Sequence, residues 1–182
     1  MNVQILTELP FVVLRLLKVE DAENLFRLVN ENREYLRKWL PWLDETESQS
    51  DQLKFIQTCS ECAATGTQFH YAILLHGEIA GLVSFNNIER LNRCATIGYW
   101  LAKSQTGRGI MTAAVKALIA AGFEHLELNR IQARVATGNR QSQAVCERAG
   151  LKTEGVLRQA EWLYDYYVDL TMNAMLRSEW RK

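Results

Sequence analysis

The stretch Thr96-Ile-Gly-Tyr-Trp-Leu-Ala-Lys-Ser-Gln-Thr-Gly-Arg-Gly-Ile-Met-Thr112 decides how this chain is read. Ile97 to Leu101 is an apolar, β-prone run, Ala102 to Thr106 a polar turn, and Gly107 and Gly109 stand where a helix starts. Met111, Ala114, Val115, Leu118, Ile119 and Phe123 then recur at steps of three or four, the apolar face of an amphipathic helix reaching about His125. A strand that runs through a glycine-bearing turn into a helix presents unpaired first-turn N–H groups at the positive end of the helix dipole. Such a place suits a phosphate.

Several patterns compete for this turn. A nucleotide P-loop needs Lys followed by Ser or Thr after its last glycine, and Ile110 and Met111 stand there. A dinucleotide fingerprint needs a third glycine, and Thr112 holds that position. The pyrophosphate loop of an acetyl-coenzyme A enzyme stays open, as does a glycine-rich helix start with no ligand.

Working outward, Phe11 to Leu17 is a first strand, and Glu20 and Asp21 favour a helix N-terminus whose buried face is Ala22, Leu25, Phe26 and Val29. Pro41 ends any helix through Tyr35 to Leu40. Asp51 to Ala64 is a second helix closed by Gly66, and Phe69–Leu75, the turn His76-Gly77-Glu78 and Ile79–Phe85 form a hairpin. Cys94 to Leu101 leads into the deciding turn, and Ile131 to Ala136 is the next strand. Asn139 caps a helix from Gln141 to Ala149, and the last strands begin near Gly155 and run over Tyr164 to Met175. The expected order is β-α-α-β-β-β-α-β-α-β-β, an α/β (α+β) fold with a mixed, mostly antiparallel sheet flanked by helices, in one domain over residues 1–182.

Composition narrows the function classes. Lys plus Arg equals Asp plus Glu at 21 each, so a general nucleic-acid or membrane-surface binder, which needs a basic excess, is not expected. No signal peptide is evident at Met1 to Glu8, no run approaches the ~18 apolar residues of a membrane helix, and a cytoplasmic location is expected. Cys59-Ser-Glu-Cys62 has the spacing of a metal or redox pair, but Cys94 and Cys146 are single and distant and no second close pair accompanies it. Structural thiols and no metal are the expectation.

Taken in order, Ile97-Gly-Tyr-Trp-Leu101, Gly107-Arg-Gly-Ile-Met-Thr112, Asn139-Arg-Gln-Ser142 and Glu154-Gly155 with Arg158 resemble the GNAT superfamily of N-acetyltransferases. Within it the chain is similar to the ribosomal-protein alanine/serine N-acetyltransferase branch, the RimJ/RimL type, from about Val12 to about Leu176. The resemblance implies acetyl-CoA as cosubstrate. It implies that the strand carrying Ile97, Gly98, Tyr99, Trp100 and Leu101 pairs with the pantetheine arm, that backbone N–H groups of Gly107, Arg108, Gly109, Ile110, Met111 and Thr112 hold the pyrophosphate, and that Thr106 belongs to the same cofactor site. Gly98 would then answer a close backbone approach or a bulge. Asn139 and Ser142 fall where this branch places a polar pair near the thioester sulfur, with Ser142 protonating the departing thiolate; the same residues also suit a plain helix cap. Two departures stand out: Thr106 replaces the usual Gln or Arg, with Gln105 displaced by one, and Ala113 replaces the usual Glu.

Trp39 and Trp42 have two readings: lining of the acceptor slot, which the resemblance supports, or closure of the core or of a contact in a homo-oligomer. The general base is not readable; Glu89 and His70 are the candidates, each also an ordinary surface group. Three functions stay open: acetylation of a protein N-terminus, acetylation of a small-molecule amine, and a non-catalytic acyl-CoA-binding module.

Overall fold

The computed structural model describes residues 4–181. Among them eight strands form one sheet, in the order β1-β2-β3-β4-β5-β6-β8-β7. The strands are β1 (Gln4–Leu6), β2 (Val12–Leu16), β3 (Phe69–Leu75), β4 (Glu78–Glu89), β5 (Cys94–Leu101), β6 (Arg130–Ala136), β7 (Lys152–Leu163) and β8 (Tyr166–Leu176). The helices are α1 (Ala22–Glu31), α2 (Arg33–Leu36), α3 (Gln49–Thr65), α4 (Ile110–His125) and α5 (Arg140–Arg148). Every neighbouring pair of strands is antiparallel except β5 and β6, which the intervening α4 joins in parallel. No helix of the described residues is long and apolar enough to cross a membrane.

The mixed, mostly antiparallel sheet is the expected one, with two additions. The edge strand β1 has three residues, too short to show a period, and its Leu6 points into solvent. The four-residue helix α2 occupies the stretch before Pro41. Local chemistry explains the well-read boundaries. Ser48 caps α3 by accepting from Asp51 N–H at 3.3 Å while Asp51 accepts from Ser48 N–H at 3.1 Å, and Gly66 closes the helix at φ 69°.

Each face of the sheet has its own core. Ile97 and Leu101 of β5, with Tyr99 packed beside them, join α4 and α5 residues such as Ile110, Leu118 and Val145. Trp100 points the other way, into a cluster with Leu25 and Val29 of α1, Ile56 of α3 and Leu82 of β4. Strand alternation alone sends Tyr99 and Trp100 to opposite sides. Helix α4 is more buried than an amphipathic reading allows: Ile110 to Val115 are all buried in succession. Gly122 lets it lie close, because a Cβ there would stand 2.7 Å from Ile131 Cδ1.

One irregularity positions everything that follows. The β5–β6 pairing runs only from Cys94↔Arg130 to Ile97↔Ala133. Beyond it, Gly98 to Leu101 stay paired with β4 alone and Arg134 to Ala136 with β8 alone, so the sheet opens along its middle. A bulge in β4 between Phe85 and Asn87 faces β5 at Ile97, the last rung before the opening. Bulges bend a strand and increase its twist, which is the physical cause we assign to the parting. The extra residue, Asn86, lays its side chain over Gly98, where a Cβ would come within 2.4 Å of Asn86 Nδ2. The bulge therefore lies on the neighbouring strand, and the close approach to Gly98 is by a side chain.

Candidate active site

The opening between β5 and β6 joins a cleft of about 550 Å³ that passes from one face of the sheet to the other. On the α4–α5 side it is lined by Tyr99, Thr106, Gly107, Gly109, Ile110, Met111, Thr112, Asn139, Ser142, Val145 and Arg148. On the side of α2 it is lined by Tyr35, Leu36, Trp39 and Leu40. Two contacts tie the α2 region to the approach of α5: Tyr35 OH donates to Gln141 Oε1 at 3.2 Å, and the Trp39 ring lies 3.4 Å from where a Gly138 Cβ would stand.

At the α4 end, Gly107 and Gly109 sit at φ 76° and 77°, the left-handed region that other residues avoid. No heavy atom lies within 4 Å of a Cβ built at either, so the turn has open space before it. Ala113 N–H makes the bond to Gly109 C=O, leaving the N–H groups of Ile110, Met111 and Thr112 without partners inside the helix. Arg148, near the end of α5, donates to Thr112 Oγ1 at 3.3 Å and brings a cation to the same turn. Arg108 points outward and bonds Gln105 Oε1, while Thr106 Oγ1 closes its own turn on Lys103 C=O at 2.8 Å. Backbone N–H groups, the dipole and Arg148 together fit a pyrophosphate.

Deeper in the cleft, Asn139 is the helix cap, its Oδ1 accepting from Ser142 N–H at 3.1 Å. Ser142 Oγ donates to Tyr99 OH at 2.9 Å. The phenol lies 3.1 Å from Ser142 C=O and 3.2 Å from Cys146 Sγ. Burial, and the neighbouring Cys146, push the Tyr99 phenol well above its ordinary pKa, and burial raises the Cys146 thiol as well.

The other residues singled out in the sequence are scattered. Ile97, buried, forms the last paired rung and Gly98 begins the opening; neither lines the cleft wall. Trp39 lines the cleft, but Trp42 packs against Trp100 at 6.4 Å between ring centres, on the second core. Glu89 pairs with Cys94 at the opposite end of β5 and accepts from Asn92 at 3.0 Å, so the fold does not bring it to the cleft. His70 is also elsewhere: it packs edge-on against Phe55 and bonds Gln68, and burial lowers its pKa to about 4. Cys59 lies on the buried face of α3, its thiol pushed up to about 12 by burial and then by Cys62, and no His, Cys, Asp or Glu group among the described residues is arranged to hold a metal.

Sequence reading missed Tyr35, Gln141, Arg148 and Glu161. Glu161 sits on β7 opposite Val168, and strand alternation through Leu170 and Ala136 puts it on the same sheet face as Arg134 and Trp100. Burial raises its pKa, while Arg134 pulls the other way. No local motif in the sequence announces it.

The sheet thus parts beside a glycine-turned helix N-terminus, and known proteins of the same fold tell which class this is. The profile of the acetyltransferase (GNAT) domain matches residues 12–152, and the chain belongs to that family. It is 37% identical over 171 residues to the putative ribosomal N-acetyltransferase YdaF of Bacillus subtilis, covering 93% of each chain. It is 36% identical over 159 residues to the ribosomal-protein-serine acetyltransferase of Escherichia coli, covering 85% of this chain and 89% of that one. Among solved structures it matches RimL, the ribosomal L7/L12 alpha-N-protein acetyltransferase in complex with coenzyme A, with a TM-score of 0.91 and 32% identity over 94% of this chain and 97% of that chain. The chain is thus a GNAT N-acetyltransferase, similar over most of its length to enzymes named for acetylating ribosomal proteins.

Proposed function

We propose that this enzyme transfers acetyl from acetyl-CoA to the N-terminal α-amine of a protein of the ribosomal type, by direct attack of the amine on the thioester. The observation that carries the reading is the parting of β5 from β6 beside the N-terminus of α4. The N–H groups of Ile110 to Thr112, helped by Arg148, hold the pyrophosphate. The free edge of Gly98 to Leu101 offers strand-like hydrogen bonds to the pantetheine amides. The thioester then comes to rest by Tyr99 and Ser142, in the gap itself.

The acceptor enters from the opposite face, past Tyr35, Trp39 and Leu40. Attack requires the neutral amine. An α-amine, with a reference pKa of about 7.7–8.0, is partly neutral at physiological pH, and a single weak base suffices. Glu161, raised by burial and lying on the acceptor face, supplies that base. A lysine ε-amine near ~10.4 needs a stronger one. Starting from the neutral amine, nitrogen gives up one proton and sulfur takes one up, and Ser142 Oγ donates a hydrogen bond to the sulfur as it leaves.

Thiol release is the test. Purified protein with acetyl-CoA is offered peptides carrying ribosomal-protein N-termini, the same peptides N-acetylated, and free polyamines and amino acids. Turnover on the free-amine peptides that vanishes on blocking the α-amine supports the reading. Turnover on small amines alone replaces the acceptor, and no turnover with retained acetyl-CoA binding makes the chain a binding module.

A further inference from the structure

Ser142 reaches the cleft from the first turn of α5, while Tyr99 comes from the parted half of β5. Their hydrogen bond of 2.9 Å therefore ties together two walls of the cleft that belong to different segments. It also poses a problem. The serine has one proton, and with Ser142 as the donor of this bond that proton is spent on the phenol oxygen. A hydroxyl that is to donate to a departing thiolate must withdraw from that bond, and its oxygen then gains from a new donor.

Tyr99 can be that donor without moving a heavy atom. Its single proton has three acceptors in reach: Ser142 C=O, Cys146 Sγ and Ser142 Oγ. Rotation about the phenol C–O bond turns the proton from either of the first two onto the third. We propose that Tyr99 is a positioning residue for acyl transfer, holding Ser142 Oγ at the cleft and reversing their hydrogen bond so that Ser142 donates to the sulfur as it leaves. This rests on the acyl-transfer reading above. Because burial keeps the phenol protonated, Tyr99 donates a hydrogen bond and not a proton. The C–S bond breaks with its electron pair on sulfur, which takes its proton from water; the amine's proton leaves through Glu161 to water.

The test is a double-mutant cycle in turnover, with acetyl-CoA and a peptide acceptor, on Tyr99→Phe, Ser142→Ala and the double variant. Tyr99→Phe should lower kcat by about ten- to a hundredfold, the range of one hydrogen bond to a charged group, and leave the KM for acetyl-CoA within about threefold. In the Ser142→Ala background the same change should cost nothing further. Ser142→Thr, which keeps a hydroxyl, should stay sensitive to Tyr99→Phe, as lost packing would not require. Losses that multiply in the double variant, a loss confined to KM, or wild-type turnover in Tyr99→Phe would each overturn the role of Tyr99. Were the wild type to acetylate no amine, the acyl-transfer reading would fall and this inference with it.

Discussion

The two sides of the cleft are built on opposite plans. The side facing α4 and α5 draws most of its wall from one continuous stretch, Tyr99 to Thr112, and offers mainly backbone: two left-handed glycines and three unpaired N–H groups. The side facing α2 is assembled from side chains of segments far apart in sequence, Tyr35 to Leu40 against Gly138 and Gln141, with Glu161 brought to the same face by β7. Main-chain sites depend on conformation and survive changes of side chain. Side-chain sites depend on what the tertiary fold brings together.

The comparison breaks first at Gly109. In Gly109→Asp a side chain is forced into the left-handed region and a negative charge enters the phosphate cradle, so acetyl-CoA affinity should fall by roughly a hundredfold or more by calorimetry. Unchanged affinity would mean that backbone at this turn does not hold the ligand.

On the other side, Glu161→Gln should lower kcat/KM by about ten- to a hundredfold while leaving acetyl-CoA affinity intact, and should remove the low-pH limb of the kcat/KM profile. Stability should move the opposite way. Burial raises the folded-state pKa of Glu161, so its favourable contribution is present below the unfolded pKa and is lost as pH rises through the folded value. At about pH 7–8 the neutral glutamine should therefore melt no lower than wild type, and higher where the buried charge is the main cost. A variant with unaltered pH profile would remove Glu161 as the base.

Trp39→Ala should raise the KM for a peptide acceptor by about tenfold, as expected for one buried aromatic contact, with acetyl-CoA binding within about threefold. An equal loss for both substrates would show that the α2 side shapes the whole cleft. The smallest effect is expected at Thr106, whose hydroxyl closes its own turn on Lys103. Thr106→Gln should change the acetyl-CoA dissociation constant by less than about tenfold, because main-chain groups make the phosphate contacts. A larger gain would show that the departure from the family pattern had cost affinity.

How much was legible follows from the same division. The strand Cys94–Leu101, the glycine turn and the helix to His125 could be read because strand propensity, glycine conformation and helix periodicity are local properties. Asn139 could be read as a cap for the same reason. Trp39 and Trp42, three residues apart, could not be told from one another, and the fold sends one to the cleft and the other to Trp100. Glu89 and His70 were reasonable acids and bases by type, yet the β4–β5 hairpin carries one to its far end and Phe55 covers the other.

By itself the sequence determined most of the strands and helices, the hairpin of β3 and β4, the motifs of the family resemblance and the glycine turn before α4, because each is written in residues close together in the chain. Only the tertiary structure decided where β5 leaves β6, which tryptophan faces the cleft, that Arg148 joins the cradle and that Tyr99 meets Ser142. Those depend on the register of strands and the docking of helices dozens of residues apart. A bulge at Asn86 or the burial of Glu161 has no local signature, since each exists only against its neighbours in the folded sheet.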